Sequence, residues 1–555
     1  MTMTRLAAAA ILLMVLLPLA MLGWLAAQGS GALWPHLVAH VVPDAAQQTL
    51  LLLGGVALVV TPVGAGCAWL VASCDFPLRR WVQWLLPLPL AVPTYIVAYA
   101  YLDLLHPIGP LQSVLRSALG ITDPRHSLLP DPRSLPGCIL LLGFVLYPYV
   151  YLSARAAFLM QSRAMLAAAR SLGATGFTIF RRVVLPLAWP GIAVGLSLAL
   201  LETLNDIGAA EYLGVRTLTL SVYVTWTTRS SPEGAAQIAL VLLMLAALLA
   251  GVEQLGRRRS GDWGHQDMAP PRRRLSPVLQ ALALLACLLP VLLGFLLPAG
   301  YLARVAFDRV REFGLPPDLP IWVWNSVLTS GVSTLVAVAL GLLLAFLARR
   351  EGPRGAWVLR LASLGYAVPG TVLALGLLLL LGKLDGAIDS AARQLFGFGT
   401  GLLFSASGAA LVYAYVARFL AIPAGGLHAG YGRLPRTLDA ASQSLGAGAW
   451  LTVRRVHLPA LLPALGAAAL LTFIDAMKEL PATLLLRPLN VETLATFVHG
   501  EAARGTYEDG AIAALLIVFV GMLPILVLGR ITAWLTGRER AVPPARLPIA
   551  TAPAE

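Results

Sequence analysis

The chain has 555 residues, 58% of them hydrophobic and only 12% charged, with a net charge of +13. A soluble globular chain is about half apolar and a quarter charged, and a β-barrel would alternate in short segments, so the long apolar blocks leave a polytopic helical membrane protein. The basic excess lies just outside those blocks, the pattern of cytoplasmic loops, and argues against a nucleic-acid surface.

The N-terminal stretch MTMTRLAAAAILLMVLLPLAMLGWLAAQ imitates a signal peptide. Its apolar core outruns the usual 7–15 residues, which predicts an uncleaved first span. Apolar blocks follow near 6–27, 47–73, 81–105, 138–160, 190–208 and 235–255. A second set falls near 276–300, 321–347, 357–381, 402–421, 463–480 and 510–534. At about 20 residues per crossing, these predict an all-α protein of about twelve spans in two sets of six. The four cysteines, Cys67, Cys74, Cys138 and Cys287, lie in or beside apolar blocks without metal-ligand spacing, and read as small buried residues.

Alternating the spans from a cytoplasmic Arg5 puts every strong basic cluster on one side, with both termini on the cytoplasmic side of a bacterial inner membrane. Arg79-Arg80, Arg349-Arg350, Arg354 and the tail arginines Arg538, Arg540 and Arg546 fall there. Loops near 106–137, 209–234, 301–320, 382–400 and 481–509 fall outside. The polar stretch GRRRSGDWGHQDMAPPRRR at 256–274 reads as a cytoplasmic linker. The expected division is 1–255, linker 256–274, 275–536 and a tail at 537–555. Six is even, so the halves share one orientation and form a parallel repeat.

One polar stretch occurs twice, as RSLGATGFTIFRRVVLP at 170–186 and QSLGAGAWLTVRRVHLP at 443–459. An offset of 273 carries Gly173 onto Gly446, Arg181-Arg182 onto Arg454-Arg455 and Pro186 onto Pro459. Helix formers precede each glycine, a natural C-cap. A second short helix then carries the arginines and ends at Leu-Pro, where the next span begins. The spacing predicts a helix–turn–helix in a cytoplasmic loop between the fourth and fifth spans of each half. An amphipathic loop on anionic lipid would read alike in one copy. Two copies at matching places point to a two-fold partner. His457, in the second copy alone, reads as a loop residue.

The stretch resembles the EAA motif of ATP-binding-cassette (ABC) importer permeases. The first copy offers Ala167, Ala168, Ala169, Gly173, Val183 and Leu185-Pro186. The second offers Ala440, Ala441, Ser442, Gly446, Val456 and Leu458-Pro459. The motif's glutamate is replaced by Ala167 and Ala440, and Asp439 stands one residue earlier in the second copy only. Nearly the whole chain is similar to the fused two-half permeases of the ferric-iron group, particularly at 201–226 and 473–498. The resemblance implies the type I importer fold, a cytoplasmic ATPase homodimer that binds ATP and Mg and docks on these loops, and a periplasmic binding protein. Related permeases carry thiamine, phosphonates, polyamines or oxyanions, so those cargoes remain open. No cofactor is expected on this chain.

The same offset pairs Glu202, Asn205 and Asp206 of the fifth span with Asp475, Lys478 and Glu479 of the eleventh. Positions i, i+3 and i+4 share one helical face, and ionisable groups inside a membrane are costly enough to suggest function. Four carboxylates against one ammonium suit a cation pathway, since hard trivalent iron favours oxygen ligands. Internal pairing that locks the helices together fits the same pattern. Arg216 and Arg487, beyond the two spans, are candidates for docking an acidic partner or for ordinary solvation. Gly191/Gly195 and Gly426/Gly430 match the close-packing GxxxG pattern. GLLLLLGKL at 376–384 fails as a phosphate loop in both spacing and its last residue, so an energy source must lie on another chain. An ion-gradient transporter is the alternative, with the carboxylates as relays. No convergent catalytic set supports an enzyme.

Overall fold

A computed structural model describes residues 2–121, 123, 128–161, 163–259, 273–432 and 434–541. Residues 260–272 of the expected linker and 542–555 of the expected tail lie outside them. Among the described residues, ten helices are long and apolar enough to cross a membrane. Two bent pairs, Arg79–Ala91 with Thr94–Leu104 and Ala409–Phe419 with Ala421–Gly432, bring the number to twelve. They fall six on each side of the linker, as the hydropathy pattern predicts. One exception to the all-α reading is a two-residue parallel bridge, Cys74–Asp75 with Arg273–Arg274, which ties the end of the second span to the approach to the seventh.

The spans differ from the sequence reading at their ends. The fifth span runs Gly176–Asn205 and the eleventh Ala449–Met477, so each begins inside the repeated motif and passes through its Leu-Pro. A proline inside a helix removes one hydrogen bond and crowds the carbonyl four residues back. Here a wide π turn precedes it and makes room. Phe180–Val184 stands before Leu185-Pro186, and Val453–His457 before Leu458-Pro459. The other two π turns among the described residues obey the same rule, Leu37–Val41 before Pro43 and Leu292–Leu296 before Pro298. The paired arginines therefore ride on the opening turns of a span.

The stretches 209–234 and 481–509, expected as outer loops, fold back into the protein instead. Gly208–Tyr212, Leu218–Thr227, Pro481–Leu486 and Leu494–Arg504 are short helices. Ala209, Ala210, Leu218, Ala482 and Val498 are fully or almost fully buried. Burial of their apolar faces outweighs the polar residues that make these stretches look like loops.

The two six-span halves interlock. The first span, Thr2–Gln28, buries Val15 and Leu22 and lies on spans nine and ten. The Tyr413 hydroxyl donates to the Met14 carbonyl at 2.8 Å, and Gly376 leaves no room for a side chain beside the Pro18 carbonyl. In the other direction, the seventh span meets spans two to four. The Tyr101 hydroxyl donates to the Leu293 carbonyl at 2.6 Å, and Gly294 packs directly on the Phe144 backbone. One apolar core joins spans two to five with seven and twelve, and a second joins one and six with nine and ten. The ends of spans five and eleven face one cavity between them.

Candidate translocation cavity and coupling loops

Where the two cores meet, a cavity of about 100 Å³ is lined by Glu202, Asn205 and Asp206 from one half and Asp475, Lys478 and Glu479 from the other. All six polar residues singled out by the repeat thus share one wall. The sequence reading missed five others there, Thr94, Tyr95, Tyr149, Tyr366 and Arg418. Arg418 is a second cation, so four carboxylates face two positive groups and leave a formal charge of −2, not four against one ammonium. Among the described residues, no three His, Cys, Asp or Glu converge tightly enough to hold a metal ion.

The carboxylates are held in matched ways. Asp206 follows the last turn of its span, and its Oδ1 accepts the backbone N–H groups of Ala209 and Ala210 at 2.9 and 3.1 Å. Glu479 does the same one half later, accepting from Ala482 at 2.9 Å and Thr483 at 3.1 Å. Such bonds satisfy the orphan donors that open the short helices behind them. The residue after each Ala-Val-Pro completes the arrangement differently. In the first half the Thr94 hydroxyl donates to Asp206. In the second, Gly370 leaves space through which Arg418 reaches Glu479 at 2.8 Å. A Cβ on Gly370 would overlap that guanidinium and stand 2.8 Å from the Glu479 carboxylate.

The remaining charges are paired too. Lys478 bonds Asp475 at 2.8 Å, and the Tyr366 hydroxyl donates to Glu202 at 3.0 Å. Two buried polar atoms in the wall, Tyr95 Oη and Asn205 Oδ1, have no protein partner. Gly195 seats span five on span four, since a Cβ there would stand 2.5 Å from the Tyr149 carbonyl oxygen. This contact bears out the GxxxG reading at Gly191/Gly195 and sets Tyr149 in the cavity wall. At the second pair, a Cβ on Gly430 would stand 2.9 Å from Leu461, while Gly426 is looser.

The two repeated loops share one local fold. Arg163–Ser171 and Thr437–Ser444 are helices, and Gly173 and Gly446 end them at φ +78° and +76°, a conformation that costs glycine little. Ala167, Ala168, Ala440, Ala441, Arg181, Arg182, Arg454, Arg455, Pro186 and Pro459 are all exposed, and Ala169 is half-buried. Sequence reasoning missed an apolar pair that the offset of 273 repeats. Leu172 and Leu445 are 87% and 88% exposed, and Phe177 and Trp450 are 72% and 75% exposed.

The loops differ in how they are tied down. Asp439 accepts from Arg349 at 2.6 Å and meets His457 Nε2 at 2.6 Å. His457 is therefore not a free loop residue. It lies buried in the π turn and lashes the second motif helix to its own span. Partial burial pushes the Asp439 carboxyl up, but Arg349 and His457 outweigh it and hold the group below the ordinary carboxylate value. Position 184 of the first copy is valine, whose carbonyl is held instead by the Gln161 side chain at 2.8 Å. Of the two arginines beyond these spans, Arg487 is spent on Glu492 at 2.9 Å, whereas Arg216 is exposed and its backbone N–H bonds Gln48.

Residues 61–259 match the family model described as binding-protein-dependent transport system inner membrane component. The chain is 31% identical over 248 residues to a Haloferax volcanii protein named "Probable molybdenum ABC transporter permease protein", covering 44% of this chain and 86% of that one. The chain belongs to this permease family. It is the permease of an ABC importer, a multi-pass protein of the inner membrane with the type I importer fold, which sets aside the ion-gradient alternative. The chain is also 24% identical over 493 residues to the Haemophilus influenzae Fe(3+)-transport system permease protein FbpB 2, covering 86% of this permease and 88% of that relative. The Escherichia coli molybdenum transport system permease protein ModB is 28% identical over 210 residues, 36% of this chain and 88% of its own.

Proposed function

We propose that this permease builds both halves of a pore for a hard cation, ferric iron, taken from a periplasmic binding protein and released to the cytoplasm. The observation that carries the reading is the cavity's formal charge of −2, with four carboxylates in its lining. Trivalent iron prefers such donors. The relative named for Fe(3+) transport agrees in length and extent. Relatives named for molybdenum supply the competing cargo, but a negative cavity opposes an oxyanion.

In this reading 1–255 and 275–536 are the two permease halves, with the linker, both repeated loops and both termini in the cytoplasm. An ATPase homodimer, carrying ATP and Mg, docks on the loops at 163–190 and 436–463. With the motif glutamate replaced by Ala167 and Ala440, docking rests on the exposed pairs Leu172/Phe177 and Leu445/Trp450, flanked by Arg181-Arg182 and Arg454-Arg455. Closure of the ATPase dimer draws the loops together and switches the pore. The test is radiolabelled ferric uptake in a strain lacking redundant iron systems, with and without this gene. Ferric uptake that follows the gene supports the cation. Gene-dependent molybdate uptake with unchanged ferric uptake overturns it.

A further inference from the structure

Next to the carboxylate cavity lies a larger one of about 700 Å³. Its walls are Leu198 and Leu201 of span five, Ala250 of span six, Arg360 and Ser363 before span nine, and Ile422 of span ten. Each lies on the coupling-loop side of the carboxylates, so the space is a vestibule toward the repeated motifs. The two cavities have only two wall residues in common, Tyr149 and Tyr366. They come from opposite halves, and each is half-buried. Tyr366 is not free to turn, because its hydroxyl is bonded to Glu202 at 3.0 Å.

We propose that Tyr149 and Tyr366 are the inner gate of the pathway, and that the Tyr366–Glu202 hydrogen bond is its latch. The two phenols form the wall that the carboxylate cavity shares with the vestibule. Glu202 has two competing uses, as acceptor for the Tyr366 hydroxyl and as a charge facing the cargo. A cation that takes up Glu202 draws that carboxylate from the phenol, which unlatches the gate on the cargo's exit side. The half-two counterpart, Asp475, is held by Lys478 instead, so the latch belongs to one half only. Both phenol oxygens are hard donors, suited to passing a hard cation onward.

The proposal rests on reading the cavity as part of the pathway, and its test needs no cargo. The reporter is Asn205→Cys, labelled by a membrane-impermeant thiol reagent in inverted vesicles, which expose the coupling-loop side, and in right-side-out vesicles. The four native cysteines are buried, and the unreplaced chain measures their background. Losing one hydrogen bond to a charged acceptor corresponds to about tenfold in an opening equilibrium. Tyr366→Phe keeps the ring and should speed labelling about that much, in inverted vesicles only. Tyr149→Ala with Tyr366→Ala should speed it further. A Ser363→Cys reporter, already in the vestibule, should label equally in every background. If it too speeds up in the double variant, the bundle has loosened there, and Tyr366→Phe alone decides. Unchanged labelling in Tyr366→Phe overturns the latch, and unchanged labelling in both variants overturns the gate. Absence of ferric uptake would leave either result standing, and unchanged labelling would leave the cation reading standing.

Discussion

Thr94 and Gly370 occupy the same place in the two halves, directly after Ala-Val-Pro, and each settles a carboxylate that also caps a short helix. Thr94 does so with its own hydroxyl, and Gly370 by having no side chain where Arg418 must pass. Gly370→Ala should therefore displace Arg418 and leave Glu479 buried without its cation, a loss on the order of 3–5 kcal/mol. The expected result is a lower Tm of the purified permease and reduced uptake. A Tm equal to the parent's would remove the steric account. The six polar residues of spans five and eleven were legible because one offset maps them onto each other. Arg418 was not, since the same offset carries it onto Val145, which has no charge to match, although an arginine inside an apolar block is itself a signal. Nothing in the local sequence distinguishes Tyr149 or Tyr366 from other aromatic residues of the core.

At the scale of elements, the two repeated loops are matched in shape and unequal in attachment. The shape was readable from Gly173 and Gly446, but the π turns were not, because a proline after the motif reads equally well as a helix start. Replacing Leu172 and Phe177 by serine in one loop, or Leu445 and Trp450 in the other, should weaken co-purification of the ATPase about tenfold or more, as expected when large apolar anchors leave an interface. Intact co-purification would put the contact elsewhere. The second loop should also respond to acid through Asp439. Its carboxyl titrates below the ordinary 3.8 in the folded chain, so the unfolded state binds protons first as pH falls. The contribution of this carboxylate is complete above about pH 4 and fades below it. Hydrogen exchange of Thr437–Ser444, corrected for intrinsic rates, should show that loss. Asp439→Asn should show weakened protection at every pH, and the helix Arg163–Ser171 should be insensitive to the substitution.

At the scale of the whole molecule, twelve spans and two sets of six were legible from hydropathy and charge, whereas the exchange of end spans was not. Spans one and six complete a core with nine and ten, and seven and twelve complete one with two to five. Residues 1–255 and 275–555 expressed separately should each be degraded, since each would expose faces that the other covers. Co-expressed, they should assemble and co-purify, and stable accumulation of either half alone would contradict the interlocked packing. That packing brings spans five and eleven together around four carboxylates and two cations, and the central claim is that cargo passes there. Radiolabelled ferric uptake by cells carrying Glu202→Gln with Asp475→Asn tests it most directly, with membrane level and ATPase co-purification measured in parallel. The account predicts uptake reduced about tenfold or more with the assembled complex retained. Uptake equal to the parent's in that retained complex would contradict it.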